Sequence, residues 1–84
     1  MMLPTIHLNG TSARELFDQT HEAARAIRAA MEAIGRAAPN GRDYYPQGNF
    51  AIGDAVTEHR ARLAALQKIA AELQKILEHV ADRL

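Results

Sequence analysis

Pro39-Asn40-Gly41-Arg42-Asp43-Tyr44-Tyr45-Pro46-Gln47-Gly48 separates two long segments of helical pattern. Two of the three prolines and both tyrosines of the chain fall in it. Pro39 cannot continue a helix, since it lacks the N–H and its ring clashes with the preceding turn. Helix-to-helix connections usually take about 2–8 residues, and this one needs roughly a dozen, a length that marks either function or disorder. Two adjacent aromatic rings beside a guanidinium, a carboxylate and an amide suit a fixed surface. The stretch therefore divides one domain, residues 1–84, into an extended arm (1–11), a first helix (12–38), a polar and aromatic loop (39–49) and a second helix (50–84).

Downstream of the loop, Asn49 or Asp54 is the expected N-cap. Ile52, Val56, His59, Leu63, Leu66, Ala70, Leu73, Leu77, Val80 and Leu84 then hold a four-three step almost to the last residue, with Ile69 and Ile76 beside it. A step averaging 3.5 residues favours left-handed helix packing. Glu58 and Arg62 form a favourable i,i+4 pair on the flank.

Upstream, Ser12 with Glu15 three residues later has the capping-box pattern. Leu16, Thr20, Ala23, Ile27, Ala30 and Ile34 make the first apolar stripe, widened by Phe17, Ala24 and Met31. Arg14, Asp18, His21, Arg25, Arg28 and Glu32 occupy the opposite face, so the helix is amphipathic. Before it, Ile6 and Leu8 alternate with Thr5, His7 and Asn9 at strand period, and Asn9-Gly10 is a turn dipeptide. A lone strand has no mate in this chain. The arm is expected to lie flat on the helices or to pair with the arm of another copy.

The fold class that follows is all-α: a long antiparallel helical hairpin with a short extended N-terminal arm, oligomerising into a helical bundle. At about 1.5 Å per residue the helices span roughly 37 and 48 Å. That mismatch would leave Leu77 to Leu84 without an internal partner. A two-helix hairpin also exposes the far side of each stripe, and exposed apolar stripes mark association surfaces. A homo-oligomer, a dimer at least, is the expectation.

Composition narrows the function. The formal net charge of the 84 residues is zero, whereas duplex nucleic-acid binding leaves a basic footprint. No cysteine is present, which excludes disulfides and thiolate metal sites and fits a reducing cytoplasm. No apolar run nears the roughly 20 residues of a membrane span. Met1-Met2-Leu3-Pro4-Thr5 lacks the charged and apolar regions of a signal peptide.

The candidate ligand site centres on the loop. Tyr44 and Tyr45 offer flat faces at low entropy cost, and a base stacked on such a ring gains about 1–3 kcal/mol. Arg42 can grip a phosphate through two parallel N–H bonds. Asn40, Asp43 and Gln47 can read donors and acceptors on a base or ribose. His59 interrupts an aliphatic seam near the loop end, and Arg62 lies on the next turn, close to a helix N-terminus that favours anions. Asn9 and Thr11, in a turn that presents free N–H groups, would complete the site from a neighbouring subunit. Against this stands a structural reading: the tyrosines cap the bundle, Arg42 and Asp43 form a local ion pair, and His59 is a seam residue. His7, His21 and His79 show no metal-ligand spacing. No serine or cysteine is placed beside a histidine as a nucleophile, and glycine-rich phosphate loops are absent. The chain reads as a binder without catalysis, cofactor or metal.

Ile6-His7-Leu8-Asn9-Gly10-Thr11-Ser12, Asn40 to Gly48 and Glu58-His59-Arg60-Ala61-Arg62-Leu63 resemble small uncharacterised proteins of phages and prophages. By size and helical oligomeric build the chain is similar in kind to phage sponge proteins that sequester the nucleotide signals of Thoeris or CBASS immunity. That similarity implies a protein in the host cytoplasm holding a cyclic nucleotide or a cyclic ADP-ribose type signal. It carries over no residue by position. The alternative is a helical protein–protein interaction module that docks its loop, or the end of its second helix, on a host or phage protein.

Overall fold

The computed structural model describes residues 1–84 and contains two α-helices, α1 (Ala13–Arg36) and α2 (Ala51–Ala81), with no strand. They pack against each other as a hairpin, in a rod of 61 × 21 × 17 Å. No helix is long and apolar enough to cross a membrane.

α1 starts where the sequence signals it. Ser12 is extended, and its hydroxyl accepts the Glu15 N–H at 3.1 Å, satisfying one of the free donors of the first turn. The helix ends two residues earlier than expected, at Arg36, and Ala37 returns its N–H to the Ile34 carbonyl at 3.0 Å. Its most buried side chain is Ala24, 2% exposed, while Ala23 is exposed. The rest of the expected stripe holds, with Leu16, Thr20, Ile27, Ala30 and Ile34 half-buried beside Phe17 and Met31, and its centre lies at Ala24 rather than Ala23. Ala13, Phe17, Ala24, Met31 and Ile34 follow its centre at helical spacing.

α2 keeps the seam read from its sequence. His59, Leu77 and Val80 are buried, and Ile52, Val56, Leu63, Leu66, Ala70 and Leu73 are half-buried. Only Leu84, beyond the helix end, faces solvent. The N-cap is a different matter. Phe50 holds that position without a side-chain bond, so neither Asn49 nor Asp54 caps α2. Asp54 instead sits in the first turn, where its carboxylate faces the positive end of the helix dipole.

The connection is two short 3-10 turns, Gly41–Asp43 and Tyr45–Gln47, hinged at Tyr44. Asn40 caps the first, its Oδ1 accepting the Arg42 N–H at 2.9 Å. Gly48 closes the second with φ 117°, a conformation that side chains rarely tolerate.

The N-terminal residues 1–12 form no strand. They fold back instead onto the C-terminal end of α2, where the Pro4 carbonyl lies 2.7 Å from Nε2 of His79. Pro4 and Ile6 are half-buried, whereas Leu8 is fully in solvent, so the Ile6/Leu8 alternation does not describe one packed face. This corrects, for Leu77 and Val80, the expectation that Leu77 to Leu84 lacks a partner, while residues 81–84 stay exposed. Val80 has no exposed surface at all and Leu77 is buried. α1 reaches this end as well, since Phe17 and His21 share a groove with Leu77, Glu78 and Ala81.

Candidate functional site

The loop end of the hairpin forms a cleft of about 250 Å³ lined by Tyr44, Gln47, Ala51, Asp54, Ala55, Glu58 and Arg62. The two turns deliver Tyr44 and Gln47, and the first three turns of α2 deliver the rest. Tyr44 is half-buried and presents its ring to the cleft. Tyr45, which follows it, points away and is 76% exposed. A 3-10 turn rotates successive side chains by about a third of a turn, so adjacent tyrosines do not form one stacking platform.

Of the residues singled out in the sequence, the cleft gathers Tyr44, Gln47 and Arg62. Asn40 is spent on the backbone of its own turn. Arg42, Asp43 and Tyr45 lie outside the lining and face solvent. No ion pair joins Arg42 to Asp43; the three ion pairs are Arg14–Asp18 at 3.7 Å, Glu22–Arg25 at 3.3 Å and Glu58–Arg62 at 3.8 Å, all exposed and all within helices. His59 is 9% exposed and belongs to the seam between the helices, not to the cleft. It makes no hydrogen bond within the chain, and no side-chain polar atom that is sealed from solvent lacks a partner. Asn9 and Thr11 lie before the start of α1, about 36 Å from the loop along a helix of this length, so one chain cannot bring them to the cleft.

Asp54, Glu58 and Ala55 were missed in the sequence reading of the site. Their signal was present: Asp54, Glu58 and Arg62 recur at four-residue steps and so share a face of α2. These residues decide the electrostatics. Two carboxylates stand against one guanidinium, and that guanidinium is already paired with Glu58. Asp54 also occupies the helix end that would otherwise attract a phosphate. The cleft of a single chain therefore repels an anion and suits a neutral or cationic polar group stacked on Tyr44.

Elsewhere, Phe17 stacks on His21 with ring centroids 6.0 Å apart, and the Arg14 guanidinium lies 5.9 Å from the Phe17 centroid. This aromatic and cationic ladder runs along the polar flank of α1. No group of three or more His, Cys, Asp or Glu side chains is placed to hold a metal ion. In comparisons with known proteins, no protein-family model, no curated protein and no solved structure matches this chain.

Proposed function

We propose that this protein acts by association rather than by chemistry: a helical hairpin whose working form is a homo-oligomer, built to bind and not to turn over a substrate. One observation carries the reading. The chain exposes 6337 Å², whereas a compact monomer of its 9.2 kDa mass exposes about 4,900 Å². The excess is about 1,400 Å², and only six residues are buried, three of them alanines. So thin a core leaves the apolar flanks of both helices half in water, the situation that association relieves. Sedimentation at micromolar concentration tests this directly. An oligomer is the expected result, and a lone 9.2 kDa species would remove the proposal.

A second reading takes the loop-end cleft as a ligand site. The oligomer sequesters a compact ligand within the cytoplasm of the host cell, in the manner of the nucleotide sponges to which the chain is similar in size and helical build. Tyr44 stacks the base, and Gln47 and Arg62 meet its polar edge. The acidic pair Asp54 and Glu58 weighs against a phosphate held by Arg62 alone, so the phosphate reading requires cations from a second subunit. A thermal-shift panel of cyclic dinucleotides, cyclic trinucleotides and ADP-ribose isomers separates the cases. A ligand at 100 times its Kd stabilises the folded state by about 2.7 kcal/mol. No shift across the panel moves the function to a protein partner on the same surfaces.

A further inference from the structure

The two sides of the hairpin seam are chemically unlike. On one side, grooves are lined by Phe17, His21 and Arg28 against Gln74, Leu77, Glu78 and Ala81, and by Arg28, Met31 and Glu32 against Gln67 and Ala70. Charged and amide groups interrupt the apolar lining on that side. Advancing about 100° per residue, the other side of α1 carries Leu16, Ala23, Ile27, Ala30 and Ile34, and no charged residue. The matching side of α2 carries Leu66, Ile69, Leu73 and Ile76. Ile69 is 43% exposed in the middle of this run. Its position excludes a fraying end as the cause.

The two ends of this apolar face also differ. At the loop end lies the acidic cleft with Asp54, Glu58 and Arg62. At the other end lies the N-terminal segment. Val80 is sealed while Glu78 and Ala81 line an open groove, so the segment covers α2 on the Val80 side, which is the apolar side. Arg83 follows there, exposed. One end is thus a raised ridge beside a cation, and the other an indentation beside two carboxylates.

We infer that this apolar face docks a second copy of the chain with the two loops at opposite ends, so that the N-terminal segment and Arg83 of each copy close over the acidic cleft of the other. A two-fold axis through the middle of the face, near Ala23 and Ile69 to Leu73, stacks α2 on α2 in opposite directions. It sets position 83 of one copy beside position 58 of the other and seats each ridge in an indentation. Loops at the same end would instead place both acidic clefts together and both ridges together. The size agrees: covering the excess area of both copies buries about 2,800 Å², within the range of about 2,000–5,000 Å² for obligate dimers. The inference rests on the homo-oligomer reading and adds to it the face, the orientation and a cleft that is complete only in the pair. It also gives the cleft a cation, Arg83 of the second copy, that the single chain lacks.

The absence of cysteine makes the test direct. Glu58→Cys and Arg83→Cys are made singly and together, and the proteins are treated with a short bismaleimide. Positions 58 and 83 are about 37 Å apart along one helix, so the reagent cannot bridge them within a chain. A covalent dimer from the double variant, and none from either single variant, is expected. Dimers from the single variants would overturn the orientation, as would an oligomer that yields no linked product. Ile69→Lys, at a position open enough to keep the hairpin folded, should dissociate the pair without loss of helicity. Unchanged sedimentation of Ile69→Lys would overturn the face while leaving self-association standing, and a monomeric parent protein would end both.

Discussion

Val80 is the sharpest probe of how the N-terminal segment serves the fold. It is the one large side chain with 0% exposure, and it lies in the last turn of α2 beside His79, which meets the Pro4 carbonyl. Truncation to alanine removes the equivalent of two methylene groups, about 1.6 kcal/mol at 0.8 kcal/mol each. The vacated space of roughly 50 Å³ adds up to about 1.2 kcal/mol at 24 cal/mol per Å³. The expected loss is about 2–3 kcal/mol, a large share of the roughly 4–13 kcal/mol that a chain of this length possesses. In thermal unfolding followed by circular dichroism at fixed protomer concentration, Tm should fall by at least about 8 °C. Leu84→Ala supplies the control, because Leu84 is 54% exposed four residues on and its truncation should change stability by no more than about 0.5 kcal/mol. Equal losses from Val80→Ala and Leu84→Ala would mean that the end of α2 is bare and that the fold-back of residues 1–12 does not exist in solution.

Three further outcomes follow from single contacts. Ser12→Ala should cost about 0.5–2 kcal/mol and lower helix content, read by chemical denaturation, since the hydroxyl holds the Glu15 N–H. His79→Ala should cost about 0.5–1.5 kcal/mol and speed proteolysis within residues 1–10, because it frees the Pro4 carbonyl; an unchanged cleavage rate would remove the latch. Tyr45→Ala should leave Tm within the change expected of about 0.5 kcal/mol, while Tyr44→Ala lowers it more and alone perturbs the cleft. Indistinguishable melting and ligand response for the two variants would contradict the turn geometry.

The hairpin was legible because its signals are local and repeated. The seam of α2 could be read residue by residue, since ten positions at four-three steps leave one helical phase open to the chain. The stripe of α1 was legible as well, apart from Ala23, which is exposed where its neighbour Ala24 is buried. Ala23 and Ala24 are the same residue type, and an alanine-rich face offers no bulky side chain to rank one phase above its neighbour. The cap of α2 was misread for a related reason: Asn49 and Asp54 are both competent caps, and the turn closed by Gly48 rather than side-chain chemistry decides where α2 begins. The destination of the N-terminal segment was illegible in principle. Pro4 meets His79 across 75 positions, and no local pattern encodes that meeting. The candidate site was half legible. Residue types announced a recognition surface, but the two 3-10 turns separate Tyr44 from Tyr45, and the side-chain bond of Asn40 commits it to the backbone.

His59 is where local rules and the fold disagree most, and that makes it informative. An imidazole sits nine-tenths buried in a seam of aliphatic side chains with no hydrogen bond inside the chain. Its ring nitrogens keep contact with solvent, since no sealed side-chain nitrogen lacks a partner, so an apolar group of similar shape gives up no internal hydrogen bond and is neutral or stabilising. His59→Leu in an isolated hairpin should therefore hold or raise Tm, by the equivalent of about 1 kcal/mol. His59 faces α1 in the seam and lies about 80° around α2 from Ile69, off the docking face inferred above, so the same substitution should leave association unchanged. Measuring both quantities on one variant separates the roles: weakened association would assign the imidazole to the partner chain, and unchanged association leaves it a tolerated polar intruder. A Tm lowered by the equivalent of 1 kcal/mol or more, with association intact, would show that the ring is satisfied within its own chain and would overturn the description of the seam.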